Sequence, residues 1–307
     1  MNAARSWGVH LPTFDPSGTD DLSSLVDSAR VAEDLGFDTL WVGDHLVCPA
    51  PVLDALCALA AAAAVTTRAQ LGCGVLQLGL RHLVWTAKQL ATVGTLAPGR
   101  LRLGVGIGGE FDEEFTAAGV DRRTRGRRLD EMLGVLPDLL TGQPVDHEGT
   151  HLVVHCPPLL PALPYAPPLA VGGRSDAALR RAARYGDQWI AMWQSPATVR
   201  RCGERLAALA AEAGRPVPKV AMLVLAHVDD DLETARREAS AVLYGQYRLA
   251  LEAVDRWTAC GPVEEVAKLL IDYRDAGAEE ILLVPLASRV ATQYERFAAV
   301  RELVEAA

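Results

Sequence analysis

Two polar residues stand where an apolar run ends. Asp44 and His45 close the stretch GFDTLWVGDH at positions 36–45. An imidazole gives or takes a proton near neutral pH and a neighbouring carboxylate can orient it, so His45 with Asp44 is a candidate for acid–base catalysis. The competing reading is a histidine satisfied by backbone at the start of a loop. A second constellation is Gly172, Gly173, Arg174 and Ser175, placed before a helical pattern. Backbone N–H groups free of side chains, the partial positive charge of a helix start and a guanidinium together suit an anion such as phosphate. A tight turn with Ser175 as helix cap accounts for the same residues.

The glycines of GVGIGGE at 104–110 are a weak match to a dinucleotide fingerprint, which should open a helix in an early βαβ unit with an acidic residue on the next strand. Gly106 and Gly108 better serve the close passage of a flat ring past the backbone, and Glu110 is a further acid–base candidate or a solvated loop carboxylate. His147, His151, His155 and Cys156 have metal-like spacing, but Gly149 interrupts them and no clustered carboxylate or cysteine completes the set, so no metal is expected. The arginines at 122, 123, 125, 127 and 128 read as a solvated helix face, or as contacts to an acidic cofactor tail. No G-x-S-x-G motif supports nucleophilic hydrolysis.

Positioning these groups requires alternating strands and helices. Apolar runs predict strands at 7–11, 39–42, 71–76, 101–105, 169–171, 188–192, 219–226 and 281–284. Helical spacing or capping signals predict helices at 22–35, 52–64, 83–96, 122–140, 175–185, 195–214, after Asp231, at 263–276 and at 294–304. Seven prolines between Pro144 and Pro168 break the period, giving an irregular insertion at about 144–168 that carries a hairpin at 145–155. Eight β/α units point to an α/β fold, a TIM (β/α)8 barrel with an insertion after the fourth unit, with residues 1–307 as one domain. In a barrel the loops leaving the strands form the active face. Here they carry Phe14, Asp44, His45, Gln77, Gly106 to Glu110, Gly172 to Arg174, Trp193, His227 and Pro285.

With 307 residues, half of them hydrophobic, the chain can bury a large core. Its net charge of -9 argues against nucleic acid and for a small-molecule partner. No run of about 18 apolar residues suggests a membrane span. The N-terminus lacks the pattern of a secretion signal, and the six cysteines form no C-x-x-C pair. A cytoplasmic protein with buried free thiols is expected.

Four segments carry a family resemblance: GFDTLWVGDH, LGCGVLQLGLRH at 71–82, APGRLRLGVGIGGEFDEEF at 97–115 and PLAVGGRSDAALRRAARYGDQWI at 168–190. In this order and spacing they resemble the bacterial luciferase-like superfamily, and within it the branch that uses the deazaflavin coenzyme F420. The resemblance implies a TIM-like barrel assembled as a homodimer. It makes His45 the active-site histidine beside the reactive ring, and Gly172 and Gly173 the turn that binds the coenzyme phosphate. Gly74 and Val75 fall where the family has a non-prolyl cis peptide behind the central ring, with Gln77 at the ring's edge. Glu110 approximates a family acid but is displaced by about one residue through Gly109. Phe14, Tyr165 and Trp193 are assigned to the substrate pocket. Asp44-His45 favours F420 over FMN, because the flavin monooxygenase branch looks like Glu-His-His there. The activity implied is hydride transfer between deazaflavin C5 and a C=N, C=C or C=O carbon, or alcohol oxidation in reverse. An FMN-dependent luciferase-like monooxygenase and a non-catalytic cofactor-binding barrel are the alternatives.

Overall fold

The runs at 39–42 and 220–228 are buried at every position, because their strands are covered on both faces. Side chains alternate between the two. On one strand Leu40 and Val42 join the core under the helices, while Trp41 points into the barrel with Leu223, Leu225 and Leu282. The computed structural model describes residues 6–18 and 22–307.

In chain order the elements are β1 (Ser6–His10), α1 (Leu25–Asp34), β2 (Thr39–Val42), α2 (Ala55–Ala63), β3 (Gln70–Leu76), α3 (Leu83–Leu96) and β4 (Leu101–Val105). Next come α4 (Asp112–Ala118), α5 (Arg125–Leu140), β5 (Val145–Glu148), β6 (Val153–Cys156), β7 (Leu169–Gly172), α6 (Asp176–Tyr185) and β8 (Gln188–Met192). The chain ends with α7 (Pro196–Glu212), β9 (Lys219–Val228), α8 (Leu232–Tyr247), β10 (Ala259–Gly261), α9 (Val263–Asp275), β11 (Glu280–Pro285) and α10 (Thr292–Ala306).

Strands β1, β2, β3, β4, β7, β8, β9 and β11 pair in parallel in that order, and β11 returns to β1. The result is a closed eight-stranded parallel barrel ringed by helices, a TIM-type fold. Between α5 and β7 the antiparallel hairpin β5–β6 and the proline-rich stretch form the insertion after the fourth unit.

The barrel's lower end, where the strands begin, is plugged by a polar network. Glu280 takes the Arg102 guanidinium at 2.9 Å, the Gln188 amide at 2.7 Å and the Thr39 hydroxyl at 2.7 Å; Thr39 in turn accepts from the Trp41 indole at 2.7 Å. The Trp41 ring fits across the lumen because a Cβ on Gly72 would stand only 2.7 Å from it. This layer fills the lumen near the strands' start, and the loops at their exit end form a cavity.

Four expectations are corrected. A ninth strand, β10, extends the sheet along β9 beyond the barrel. The helix expected at 122–140 opens with a 3-10 turn at Arg122–Thr124 and is preceded by the short helix α4. α2 starts only at Ala55 because the Asp54 side chain caps it, accepting from the N–H groups of Leu56 and Cys57. Of the six thiols only Cys73 is fully buried, and Cys57 is exposed on α2.

Candidate active site

One cavity of about 360 Å³ opens at the exit end of the barrel, and it gathers residues from nearly every strand's end. His45, Asp44, Gly74, Val75, Gln77, Gly106, Gly108, Glu110, Gly172, Gly173, Arg174, Phe14, Trp193 and Pro285 all line it. The histidine after β2 and the glycine pair after β7 therefore share one hollow. Tyr165 does not join them. It lines a separate depression with Pro98, Gly99 and Leu101, and because Leu101 opens β4 this depression lies at the barrel's other end. The insertion is long enough to carry Tyr165 away from the rim. His227 is likewise absent from the cavity wall; its Nδ1 lies 2.8 Å from the Leu286 carbonyl, inside the β9 packing.

The partner of His45 is Glu114, a residue that no spacing in the sequence ties to it. His45 Nδ1 lies 3.1 Å from Glu114 Oε1 and 2.9 Å from the Gln77 amide nitrogen. Glu114 also accepts the Leu46 N–H at 2.7 Å, and its side chain is fully buried. Burial alone would push the Glu114 carboxyl up. The His45 imidazole, the Leu46 N–H and the Gln77 amide outweigh it and hold the carboxyl below its ordinary 4.5. An ionised carboxylate can only accept, and the two Gln77 amide hydrogens are taken up by the Asp44 carbonyl and Glu114. Nδ1 of His45 is thereby the protonated nitrogen, and Nε2 on the far edge of the ring is free for exchange.

Asp44, expected to orient His45, supports the scaffold instead. Its Oδ2 accepts the Gln77 N–H at 2.9 Å and its Oδ1 the Arg81 guanidinium at 2.7 Å, while Arg81 bridges on to Asp54 at 2.8 Å. A buried carboxylate needs such pairing, and Asp44 spends both oxygens on it. Glu110 is exposed at the cavity mouth. The acid beside His45 is one helical turn further on because α4 begins at Asp112 and turns its third residue inward. Three acidic residues before an apolar pair and Gly119, which ends α4 at φ 66°, were the helix signal in the sequence.

At the cavity floor the peptide between Gly74 and Val75 is cis, and β3 has a register shift there. The Val75 side chain wedges between two strand ends: a Cβ on Gly106 would lie 2.5 Å from it, and one on Gly172 2.9 Å. His10, the last residue of β1, faces Gly74 from beneath. Its Nε2 is buried without a partner, and burial lowers its pKa to about 4, so it is neutral at ordinary pH. Gln77 Oε1 and Trp193 Nε1 are also buried and unpartnered. At the other end Gly173 has φ 133°, Ser175 caps α6, and Arg174 lies 5.7 Å over the Trp193 ring. Neither His10 nor Tyr247, whose ring edge approaches His45, was singled out from sequence; each ends an element that only the closed barrel brings to the rim.

The arginine run is structural where it is best defined. Arg128 donates to the carbonyls of Gly79 and His151, and Arg122 to that of Gly109, fastening the loops around the mouth. Among the described residues no group of three His, Cys, Asp or Glu side chains is arranged to hold a metal, and no helix is long and apolar enough to cross a membrane.

Comparison with known proteins agrees with this architecture. A family model described as luciferase-like monooxygenase matches residues 6–280. An uncharacterised protein of Mycobacterium tuberculosis is 30% identical over 218 residues, which is 64% of this chain and 75% of that protein. The F420-dependent glucose-6-phosphate dehydrogenase of Kineococcus radiotolerans is 35% identical over 175 residues, 54% of this chain and 51% of that enzyme. Among solved structures, an F420-dependent secondary alcohol dehydrogenase in complex with an F420-acetone adduct superposes with a TM-score of 0.85 over 98% of this chain and 99% of its own. Its sequence identity is 20%, so that likeness shows the fold alone. The family model spans nearly every element that builds the barrel and its cavity, and the chain belongs to the luciferase-like monooxygenase family.

Proposed function

We propose that this chain is an F420-dependent oxidoreductase that transfers a hydride between the deazaflavin and a small organic substrate, reducing C=O, C=N or C=C or oxidising an alcohol in reverse. The observation that carries this is the single cavity shared by a carboxylate-held imidazole and a glycine turn at a helix start. The 32% to 36% identities of F420-dependent relatives are partial in coverage, so the residues must bear the weight.

The residues present fit a flat tricyclic coenzyme with an anionic tail. The cavity volume lies in the range of ligand sites, about 300 to 1,000 Å³. Its floor offers unpartnered His10 Nε2 and Gln77 Oε1 to ring polar atoms, and Val75 presents an apolar wedge against which a ring can lie. Gly172, Gly173 and Arg174 stand ready for the tail at the start of α6. When bound, F420 supplies hydride acceptor and donor chemistry at C5. The protein's share is positioning and proton transfer. In reduction the substrate oxygen or nitrogen needs a proton, which Nε2 of His45 delivers from the imidazolium while Glu114 stabilises the positive ring from behind; in oxidation neutral Nε2 takes the alcohol proton. The rings packed around His45 leave its side chain only 8% exposed, which limits the water around the exchange.

Titration of purified protein with F420 and with FMN is the test. Tighter binding of F420, with coenzyme-dependent turnover of carbonyl, imine or enone substrates, is the expected result. His45→Asn should lower turnover by about 10² or more while leaving F420 affinity within about threefold. Preferential FMN affinity with oxygen consumption would instead make the protein a monooxygenase, and F420 binding without turnover of any substrate would make it a non-catalytic carrier barrel.

A further inference from the structure

The part of the cavity around His45 is walled by rings. Phe14 and Tyr247 line the cavity and present edge-on contacts to the imidazole at 5.8 and 6.1 Å, Tyr247 meets Trp193 in the same way at 6.4 Å, and Phe111 supports the imidazole from outside the lining at 5.2 Å. These residues come from four separate places: the start of α4, the loop after β1, the end of α8 and the loop after β8. Val242 and Leu225 continue the apolar wall.

The fixed charge beside these rings is negative. Glu110 lines the cavity and Glu114 lies ionised behind the imidazole. The Tyr247 hydroxyl stays neutral, since burial first and the Glu110 carboxylate second push its pKa up. Among the described residues Arg174 is the one lysine or arginine lining the cavity, and it belongs to the glycine turn that the coenzyme's anionic tail would occupy.

From this arrangement we infer that the substrate is uncharged and apolar, with a ring or branched alkyl body packed among Phe14, Tyr247 and Trp193, and that phosphorylated and carboxylated substrates are rejected. The inference rests on the proposed coenzyme reading for the word substrate, but the pocket chemistry stands on the side chains alone. An apolar body gains free energy with each buried CH₂, and aromatic edges add to it. An anion placed there sheds its hydration without a cation to replace it and sits near two carboxylates. A neutral ligand should therefore bind at least about tenfold better than a charged analogue of the same shape.

Matched probes decide the matter: 4-methylacetophenone against 4-acetylbenzoate, and 4-methoxyacetophenone against 4-acetylphenyl phosphate. Each is titrated into the protein, free and with F420 added, following tryptophan fluorescence, and each is then assayed for coenzyme turnover. The expected result is a preference of about tenfold or more for the neutral member of each pair in affinity, and in turnover where turnover occurs. Phe14→Arg, at a half-buried position on the wall, should narrow that preference by about tenfold or reverse it. Equal or better binding of the charged members, no detectable binding of any probe by either form, or an unchanged preference in Phe14→Arg would overturn the inference. A protein that discriminates the pairs yet takes up no F420 would keep this pocket chemistry while losing the proposed coenzyme, so the two failures are told apart.

Discussion

Glu114 decides what His45 can do. By accepting from Nδ1 it fixes the tautomer, turns Nε2 outward and stands ready to stabilise the charged ring, while its Leu46 contact at 2.7 Å holds the loop that carries the histidine. The second histidine of the cavity behaves oppositely. His10 is buried with no charged partner to favour its protonated form, and burial lowers its pKa from 6.5 to about 4. Between those values the unfolded chain binds a proton that the folded chain does not. The stability this group allows is complete above about pH 6.5 and is lost as pH falls through the window, by up to roughly 3 kcal/mol. Urea unfolding of the wild type and His10→Gln at about pH 7 and about pH 4.5 should show the wild type losing roughly 2 kcal/mol more than the variant on acidification. Equal losses would mean that the folded protein protonates His10 freely. Glu114 adds a second acid-sensitive contribution of the same sign: its carboxyl is held below 4.5, so that stabilisation is present above this value and lost beneath it.

At the scale of elements, the turn between β7 and α6 joins backbone shape to ligand chemistry. Gly173 adopts φ 133°, where other residues are strained, and a Cβ there would meet the Ala178 methyl at 2.7 Å; its carbonyl accepts the Trp189 indole at 2.8 Å. Gly173→Val should weaken F420 binding by about tenfold or more and cost about 1 to 3 kcal/mol of stability, read by coenzyme titration and urea unfolding. Unchanged affinity would remove the turn from the coenzyme site. The barrel strands were legible in the sequence because each is buried on both faces and reads as an apolar run bounded by glycine or proline. α4 and β10 were not, since seven and three residues are too few to display a period. The missed helix is what misplaced the acid: Glu110 precedes it in an exposed loop, whereas Glu114 is turned inward by it.

At the scale of the whole molecule, the two ends of the barrel do different work. The lower end is stabilised by the Arg102, Glu280, Gln188 and Thr39 network, and the upper end is left hollow. Removing Glu280 leaves the largely buried Arg102 guanidinium without its countercharge, with only the Gln188 oxygen to accept from it, so Glu280→Ala should cost about 3 kcal/mol in urea unfolding while leaving F420 affinity within about twofold. A loss below about 1 kcal/mol would show that water replaces the carboxylate. The same separation explains Tyr165, an aromatic residue that the insertion carries to the lower end with Pro98 and Gly99.

The sequence by itself determined the alternation of strands and helices, the count of barrel strands and the nearness of His45 and Gly172–Gly173 to strand exits, since burial on two faces and glycine punctuation are local properties of the chain. Only the tertiary structure decided which groups meet. Asp44 is adjacent to His45 in sequence yet pairs with Arg81, while Glu114, 69 positions away, takes the imidazole. Successive residues at a strand's end point in opposite directions, and the side chain that fills the space beside a catalytic group is set by how the barrel closes, not by what comes next along the backbone.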